Sequence, residues 1–284
     1  MRVLVTGATG QLGRALAASA PAGVEVLAAA RDQLDLLDGD VGARVSDLAP
    51  DLILNAAAYT AVDKAEEDAA LAQRINGDAV AELAATGIRL VHVSTDYVLP
   101  GDRAHPARPD DPVGPLGAYG RTKLEGEQAA LAAGALVVRT AWVYAAEGKN
   151  FVHAMLGRMK QGTDLRVVAD QSGTPTHAAS LARALWSLAK VEATGLHHFT
   201  DAGVASWYDF AVAISEEGRA LGLFDHQVAI TPIPTEDYPT PAARPAYSVL
   251  DCHTTWAITG VPRHWRDELR SMLRELGEGE AGHG

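Results

Sequence analysis

Cysteine is almost absent from this chain, which contains Cys252 alone. A disulfide framework within the chain is therefore excluded. No His or Asn motif accompanies this residue as in a cysteine-dependent enzyme, so we expect a buried thiol and not a nucleophile. The ten histidines form no cluster with the spacing of metal ligands, and His197-His198 falls beside a predicted strand, where neighbours point to opposite faces. We therefore predict no metal site.

Long apolar runs and an excess of positive charge are missing too. No apolar segment approaches the roughly 20 residues that span a membrane, and the N-terminus lacks the pattern of a signal peptide. The 24 Lys and Arg residues stand against 36 Asp and Glu, a net charge of −12 that argues against general affinity for nucleic acid or anionic membranes. A local basic pocket could still bind a phosphate. We expect a soluble, cytoplasmic protein that binds neither membranes nor nucleic acid.

What the chain does have is a regular alternation of strand-like and helical segments. Apolar runs at residues 3–5, 24–27, 52–54, 90–93 and 136–138 are separated by stretches with helical spacing. This alternation predicts an α/β fold with a Rossmann-type, doubly wound parallel sheet that is covered by helices on both faces. A length of 284 residues suffices for such a domain with a smaller companion.

The elements become shorter and more mixed after Trp142. Strands are predicted at 165–168 and 196–199, and helices near 151–159, 178–189, 208–221 and 264–276. Because no repeat or low-complexity linker separates the halves, we predict an interwoven architecture. A first domain would span residues 1–145 with returning segments of the C-terminal half, and a smaller α/β lobe would occupy mainly 146–284. Two proline-rich loops, 95–118 and 232–245, are long enough to suggest a functional site.

A glycine-rich turn follows the first predicted strand. Gly7, Gly10 and Gly13 are three residues apart and open a helix. Glycines at these positions let the backbone turn tightly and approach a pyrophosphate, while the helix N-terminus offers N–H groups to the phosphates. The strand-turn-helix context favours dinucleotide binding over a purely structural turn.

The residues after the second predicted strand bear on cofactor choice. In dinucleotide-binding folds an acidic residue at this position holds the ribose of NAD, whereas an arginine accommodates the 2′-phosphate of NADP. Here Arg31 and Asp32 are adjacent, so each could serve one cofactor and both could be plain surface charges. We favour NADPH, with NADH as the alternative.

Tyr119 and Lys123 are four residues apart in a predicted helix, so their side chains share one face. An ammonium favours a nearby phenolate and makes the phenol a stronger acid. Such a pair can protonate a carbonyl oxygen while hydride reaches the carbon. Ser94-Thr95-Asp96-Tyr97 follows the fourth strand, at the sheet edge where α/β folds bind ligands. A hydroxyl there could hold the substrate oxygen, although caps and turns use the same residue types.

The order of glycine turn, Ser-Thr after a fourth strand and Tyr-Lys helix resembles the short-chain dehydrogenase/reductase superfamily, in its nucleotide-sugar branch. Longer segments are similar to the dTDP-4-dehydrorhamnose reductase family. The resemblance extends from Arg2 to about Leu250, and the segments that carry it lie at 7–13, 34–36, 55–63, 94–98, 119–123, 139–144, 170–176 and 238–245.

The resemblance implies NADPH-dependent reduction of the C4 keto group of a dTDP-4-keto-6-deoxy sugar, which gives dTDP-L-rhamnose for cell-surface polysaccharide. Tyr119 would donate the proton, Lys123 would tune its pKa and bind the ribose, and Thr95 would hold the keto oxygen. Asp96 and Trp142 would contact the sugar, and Arg244, whose fork suits phosphate oxygens, is a candidate for the nucleotide phosphates. Besides Tyr119 and Lys123, the implied cofactor contacts are Gly7, Thr9, Gly10, Gln11, Leu12, Gly13, Arg31, Asp35, Leu36, Ala56, Ala57 and Ala58.

The chain departs from the family pattern early in the first helix. Some members carry there an acidic residue that contributes to a magnesium-linked dimer, whereas Arg14 and Ala15 offer no side-chain oxygen. A metal-bridged dimer is therefore not expected, and the assembly is predicted as monomer or homodimer. Leu99 replaces the family's Phe, an apolar exchange that would only adjust packing.

Two other function classes compete with reduction. A nucleotide-sugar dehydratase needs an Asp-Glu pair after the threonine, but Asp96 is followed by Tyr97, while an epimerase that retains its nicotinamide stays open. A non-catalytic NADP-binding regulatory subunit, like that of methionine adenosyltransferase, resembles the same branch. Its chemistry residues would be dispensable, yet Thr95, Tyr119 and Lys123 are all present.

Overall fold

The computed structural model describes residues 1–281, with side chains through Glu278. The strands are β1 (Arg2–Thr6), β2 (Glu25–Ala29), β3 (Leu52–Asn55), β4 (Leu90–Thr95), β5 (Leu136–Thr140), β6 (Val143–Tyr144), β7 (Leu165–Val168), β8 (Ser172–Gly173), β9 (Thr176–His177), β10 (Gly195–His198), β11 (Ala205–Ser206) and β12 (Ile230–Ile233). The helices are α1 (Gln11–Ala18), α2 (Val41–Leu48), α3 (Ala69–Gln73), α4 (Ala79–Ala85), α5 (Ala118–Ala132), α6 (Phe151–Lys160), α7 (Ala178–Lys190), α8 (Trp207–Ala220), α9 (His253–Thr259) and α10 (Trp265–Ala281).

The main sheet has six strands in the order β10-β5-β4-β3-β1-β2, and all of its neighbours are parallel. The strand order changes direction between β1 and β3, the point where open α/β sheets form a ligand crevice. The predicted Rossmann-type, doubly wound fold is thus confirmed.

Alternating side chains of the sheet build a core on each face. Val3, Val5 and Leu54 pack with α1 and α7, whereas Leu4 and Ile53 pack with α2, α4 and α5. Because successive residues of a strand point to opposite faces and both faces are covered, the runs at 3–5 and 52–54 are apolar without a break.

Another core lies in the C-terminal half, between α6, α8, α10 and the parallel pair β7–β12. Phe210, Ile214, Leu269 and Leu273 are at its centre. Strand β10 and helix α7 belong instead to the main sheet and its covering layer. The domain boundary at residue 145 stays a prediction, and the last three residues of the second lobe lie outside the described chain.

Several local expectations need correction. The long helix expected around 71–83 is interrupted by a π-helical turn, Arg74–Asp78. Strand β12 runs into the stretch that was expected to be a loop, because Pro232 sits on an edge strand where proline is tolerated.

Cys252 is buried, as predicted. Among residues 1–281, no helix combines the length and the apolarity needed to cross a bilayer.

Candidate active site

A cavity of about 810 Å³ lies where the main-sheet strands end. The residues that directly follow β1, β3 and β5 line it, together with the last residues of β4, because parallel strands bring their carboxyl ends to one edge. The predicted site residues that line this cavity are Gly7, Thr9, Gly10, Gln11, Leu12, Arg31, Asp35, Leu36, Ala56, Ala57, Ala58, Thr95, Asp96, Tyr119, Lys123 and Trp142. Gly13 and Arg244 are not among the lining residues.

The glycine turn forms one end of the cavity. Gly7 has a left-handed φ of 63°, and a Cβ on Gly13 would lie 2.2 Å from the Gly7 carbonyl oxygen. Gly13 therefore contributes by letting α1 approach the turn closely. No side chain caps the first turn of α1. Its free N–H groups and the positive end of the helix dipole suit a pyrophosphate.

Three cationic side chains besides Lys123 line the cavity. Arg31 pairs with Asp35 at 3.1 Å and both line the cavity, whereas Asp32 does not. Arg14 also lines it and pairs with Glu147, on the loop that includes Lys149. Arg14 was not predicted to line the cavity, because its partner Glu147 lies 133 positions further along the chain.

Helix α5 delivers Tyr119 and Lys123 to the cavity. A Cβ on Gly120 would lie 2.2 Å from the Tyr97 carbonyl oxygen, so the glycine allows α5 to pack directly against the segment after β4. The ring of Tyr119 meets that of Tyr97 edge to face at a centroid distance of 5.5 Å. The cavity thus brings together Thr95, Tyr119 and Lys123, as the motif order predicted.

Burial dominates the ionisation of the Tyr-Lys pair. It raises the pKa of Tyr119 to about 12, against a hydrogen bond with Thr95 that lowers this pKa. Burial also lowers the pKa of Lys123 to about 8. The Lys123 ammonium donates to the Val93 carbonyl at 2.7 Å. The phenol is therefore not the stronger acid expected from an adjacent ammonium, because burial and the nearby Asp96 charge both raise its pKa.

Asp96 is a buried carboxyl beside the catalytic residues. Its Oδ1 accepts a hydrogen bond from the Thr95 hydroxyl at 2.9 Å. Burial raises its pKa to about 6. Its Oδ2 is buried without a hydrogen-bond partner, although the Ser248 side chain is close enough to lower the pKa. The hydroxyl of Thr140, which also lines the cavity, is likewise unpartnered. Both atoms could bind polar groups of a ligand.

An aromatic stack forms another wall. Trp142 follows β5 with a left-handed φ of 48° and stacks on Trp207 at a ring distance of 3.6 Å. Phe151 lies against Trp207 at 4.7 Å, and all three rings line the cavity. A strained backbone at such a wall is typical of a functional position. Trp207 and Phe151 were not predicted as site residues. The sequence indicates only that they lie where two predicted helices begin.

Arg244 lies outside the cavity wall. Its guanidinium holds both carboxylate oxygens of Asp63, with Nη2–Oδ2 at 2.8 Å and Nη1–Oδ1 at 3.1 Å. The Asp63 carboxylate also accepts from the Ala242 amide. This contact ties the second proline-rich loop to the segment after β3 and directs both terminal nitrogens of Arg244 towards Asp63.

Comparison with known proteins places the chain in a family. The model described as RmlD substrate binding domain matches residues 1–278. A dTDP-4-dehydrorhamnose reductase of Burkholderia thailandensis is 46% identical, over 97% of this chain and 99% of the relative. A probable dTDP-4,6-dihydroxy-2-methyloxan-3-one 4-ketoreductase of Streptomyces antibioticus is 42% identical, over 97% and 96%.

A solved structure of the same family also resembles the chain. It is dTDP-4-dehydrorhamnose reductase of Bacillus anthracis in complex with NADP, which superposes with a TM-score of 0.87 at 32% identity and covers 96% of this chain and 99% of that one. The chain therefore belongs to the RmlD substrate binding domain family, together with these dTDP-4-dehydrorhamnose reductases.

Proposed function

We propose that this protein reduces the C4 keto group of dTDP-4-dehydro-L-rhamnose with NADPH, giving dTDP-L-rhamnose as a step of dTDP-rhamnose biosynthesis. The observation that carries this proposal is one cavity with the glycine turn at one end and Thr95, Tyr119 and Lys123 in its wall. The reductases of the same family that the chain resembles over nearly its whole length support the choice of reaction.

The glycine turn fits a dinucleotide. A Cβ on Gly7 would lie 2.8 Å from the Ala57 Cα, and one on Gly10 would lie 3.2 Å from the Gly7 carbonyl oxygen, so side chains would fill this cradle. The N–H groups of α1 would hold the pyrophosphate, and Arg31 would pair with a 2′-phosphate in exchange for Asp35. When bound, NADPH supplies the hydride. NADH remains usable because Arg31 is already neutralised without a 2′-phosphate.

Thr95 and Tyr119 would donate hydrogen bonds to the keto oxygen and so orient the sugar. As negative charge develops on that oxygen, Tyr119 transfers its phenolic proton to it. A pKa of about 12 keeps this proton in place at neutral pH, and an alkoxide is basic enough to take it. Lys123 would then stabilise the phenolate and bind the ribose.

The sugar would lie between the aromatic stack and Asp96. Trp142 and Trp207 offer flat apolar surface, while the unpartnered Oδ2 of Asp96 would accept a hydrogen bond from a sugar hydroxyl. Arg244 would reach the diphosphate once released from Asp63. The protein would act as a monomer or a homodimer.

The other candidates differ in what they do with nicotinamide and sugar. An epimerase would retain a tightly bound NAD, and a regulatory subunit would bind NADPH without oxidising it. The Streptomyces relative is named for a different dTDP-linked ketone, so the sugar itself is a variable to be tested.

The test follows NADPH consumption with dTDP-4-dehydro-L-rhamnose generated in situ, and in parallel with the ketone of the Streptomyces relative. We expect turnover of the first substrate and a loss of about 100-fold or more in Tyr119→Phe, the scale of a lost general acid. The control Tyr59→Phe removes a hydroxyl that binds Asp68 outside the cavity and should keep full activity. NADPH binding without turnover of either ketone, or equal rates in wild type and Tyr119→Phe, would contradict the proposal.

A further inference from the structure

A row of buried polar side chains crosses the main sheet beneath the cavity. Thr6 of β1, Asn55 of β3 and His92 of β4 are register neighbours on adjacent strands. The Thr6 hydroxyl lies 2.6 Å from Asn55 Oδ1, and Asn55 Nδ2 lies 3.0 Å from His92 Nδ1. The row ends at Lys123, whose Nζ lies 3.5 Å from His92 Nε2. Every member is buried.

The partners of His92 can all reverse their hydrogen-bond roles. A charged Lys123 can only donate, whereas a neutral amine can also accept. The Asn55 amide presents either its oxygen or its NH₂ to the ring after a 180° flip, and the Thr6 hydroxyl both donates and accepts. Burial lowers the pKa of His92 well below its ordinary value, so the ring stays neutral with one N–H and one acceptor nitrogen.

We propose that His92 is a positioning residue that keeps Lys123 hydrogen-bonded in both of its charge states by exchanging one ring tautomer for the other. With Lys123 charged, Nε2 accepts from the ammonium and Nδ1–H donates to the Asn55 oxygen. With Lys123 neutral, Nε2–H donates to the amine and Nδ1 accepts from the Asn55 NH₂. The inference rests on the proposed function only for the role of Lys123 in reduction.

A second buried histidine in the same sheet lacks this freedom. His198 of β10 lies 3.1 Å from the Ala107 carbonyl oxygen through Nδ1, and 3.4 Å from Arg139 Nη1 through Nε2. The carbonyl only accepts, and a guanidinium is always charged and only donates. His198 is therefore fixed with its proton on Nδ1, which makes it an internal reference for His92.

Other charges near Lys123 do not replace His92. Glu127, one turn further along α5, raises the pKa of Lys123 but is itself paired with Arg139 of β5. Tyr119, one turn earlier, stays a neutral phenol at physiological pH because its pKa is about 12. The Val93 carbonyl accepts from Lys123 but cannot donate to a neutral amine. Among these neighbours, His92 is the group that can accept from the ammonium and donate to the lone pair of the neutral amine.

The test is nitrogen NMR of the full chain labelled with ¹⁵N-histidine, recorded from pH 6 to 10, with His92→Gln to assign the signals. We expect His92 to change from the Nδ1–H to the Nε2–H tautomer with a midpoint near the Lys123 pKa of about 8, while His198 stays Nδ1–H. In Lys123→Met the His92 tautomer should no longer depend on pH. A single His92 tautomer across the whole range in wild type would overturn the inference.

A kinetic comparison then tests whether the contact matters for reduction. Asn at position 92 is long enough for Asn55 but not for Lys123, whereas Gln reaches towards the Nε2 position. In the pH profile of kcat/KM we expect His92→Asn to move the basic limb down by about one unit, because the lost hydrogen bond is stronger to the ammonium than to the neutral amine, and His92→Gln to keep the wild-type profile. Identical profiles for Asn and Gln would contradict a positioning role. The NMR result does not depend on which sugar the enzyme reduces.

Discussion

Asp96 is a buried carboxyl group in the wall of the cavity. It is 1% exposed, and one of its carboxylate oxygens has no hydrogen-bond partner in the structure. Burial without full pairing raises its pKa to about 6, from an ordinary value near 3.9. The folded protein therefore binds more protons than the unfolded chain between pH ~4 and ~6, and its stability falls as the pH rises through this window.

We predict that Asp96→Asn is more stable than wild type at pH 8 but not at pH 4. A neutral amide avoids the cost of a buried charge, and two pKa units correspond to a gain of about 3 kcal/mol in the free energy of unfolding. The same change removes the proposed hydrogen bond to the sugar, so the KM for the keto sugar should rise. Urea denaturation at the two pH values and initial-rate kinetics measure both effects.

Asp201 provides the matched control. Burial raises its pKa to about 6 as well, but it does not line the cavity. Asp201→Asn should thus share the pH-dependent gain in stability without the change in KM. If the stability difference between Asp96→Asn and wild type is the same at pH 4 and pH 8, the cost assigned to Asp96 is wrong.

At the level of single residues, the spacing and order of motifs predicted which side chains line the cavity. They did not predict the environment of those side chains. Tyr119 and Lys123 could be found because helical spacing places i and i+4 on one face. The row from Thr6 through His92 could not, because strand register, not sequence distance, brings its members together. The environment that sets the pKa of Tyr119 was likewise invisible, which is why the expected lowering is wrong.

At the level of elements, the aromatic stack depends on three short segments. Trp207 is the first residue of α8, where Ser206 and Asp209 form a capping box. Trp142 lies in the turn between β5 and β6, and β8 passes behind its ring. A Cβ on Gly173 of β8 would lie 2.6 Å from the Trp142 ring. Strand β8 therefore limits how far the Trp142 ring can move away from the Trp207 ring.

We predict that Gly173→Ala raises the KM for the sugar nucleotide by about tenfold, a cost of about 1.4 kcal/mol, while the Kd for NADPH stays unchanged. The added methyl group has to displace the Trp142 ring, because the distance is too short for two carbon atoms. The glycine turn and Arg31 line another part of the cavity, so the proposed binding site of NADPH is not disturbed. Steady-state kinetics and fluorescence titration with NADPH separate the two constants.

Gly157→Ala is the corresponding control, since a Cβ there meets no atom within 4 Å. It lies in α6, where Ala is favoured over Gly by about 0.5–1 kcal/mol, so it should stabilise the protein and leave both constants unchanged. Equal effects of the two substitutions on KM would refute the role given to β8.

Element boundaries were the least predictable feature of the fold. The apolar spacing of residues 71–83 correctly indicates a helical segment, but a π-helical turn inside it leaves no mark on this spacing. The two-residue strands β6, β8, β9 and β11 are too short to show any periodicity. These are also the strands around the aromatic stack, so this wall of the cavity was less predictable than the glycine turn.

At the level of the whole molecule, the sequence predicted the layered sheet because β1, β3, β4 and β5 are apolar on both faces. It did not predict which helices and strands of the C-terminal half belong to each of the two cores. Helix α7 packs on α1 and shares a core with β1 and β3, whereas α8 and α10 enclose a separate core. The chain thus crosses between the two cores after β9, and again after β10.

This crossing leads to a prediction about unfolding. Because α7 and β10 are both preceded and followed by parts of the second core, that core cannot unfold without loosening its connections to the first. We expect one cooperative transition in urea, reported equally by Trp186 of the first core and Trp265 of the second.

Two substitutions test this coupling. Leu185→Ala creates a cavity in the first core, and Leu273→Ala creates one in the second. Both leucine side chains are fully buried. Each should lower the free energy of unfolding by about 2–5 kcal/mol and shift the signals of both tryptophans together. The variants Trp186→Phe and Trp265→Phe, each compared with the parent protein and its five tryptophans, give the two fluorescence signals by difference. If Leu273→Ala shifts the Trp265 transition and leaves that of Trp186 in place, the lobes unfold independently and the interwoven architecture does not couple them.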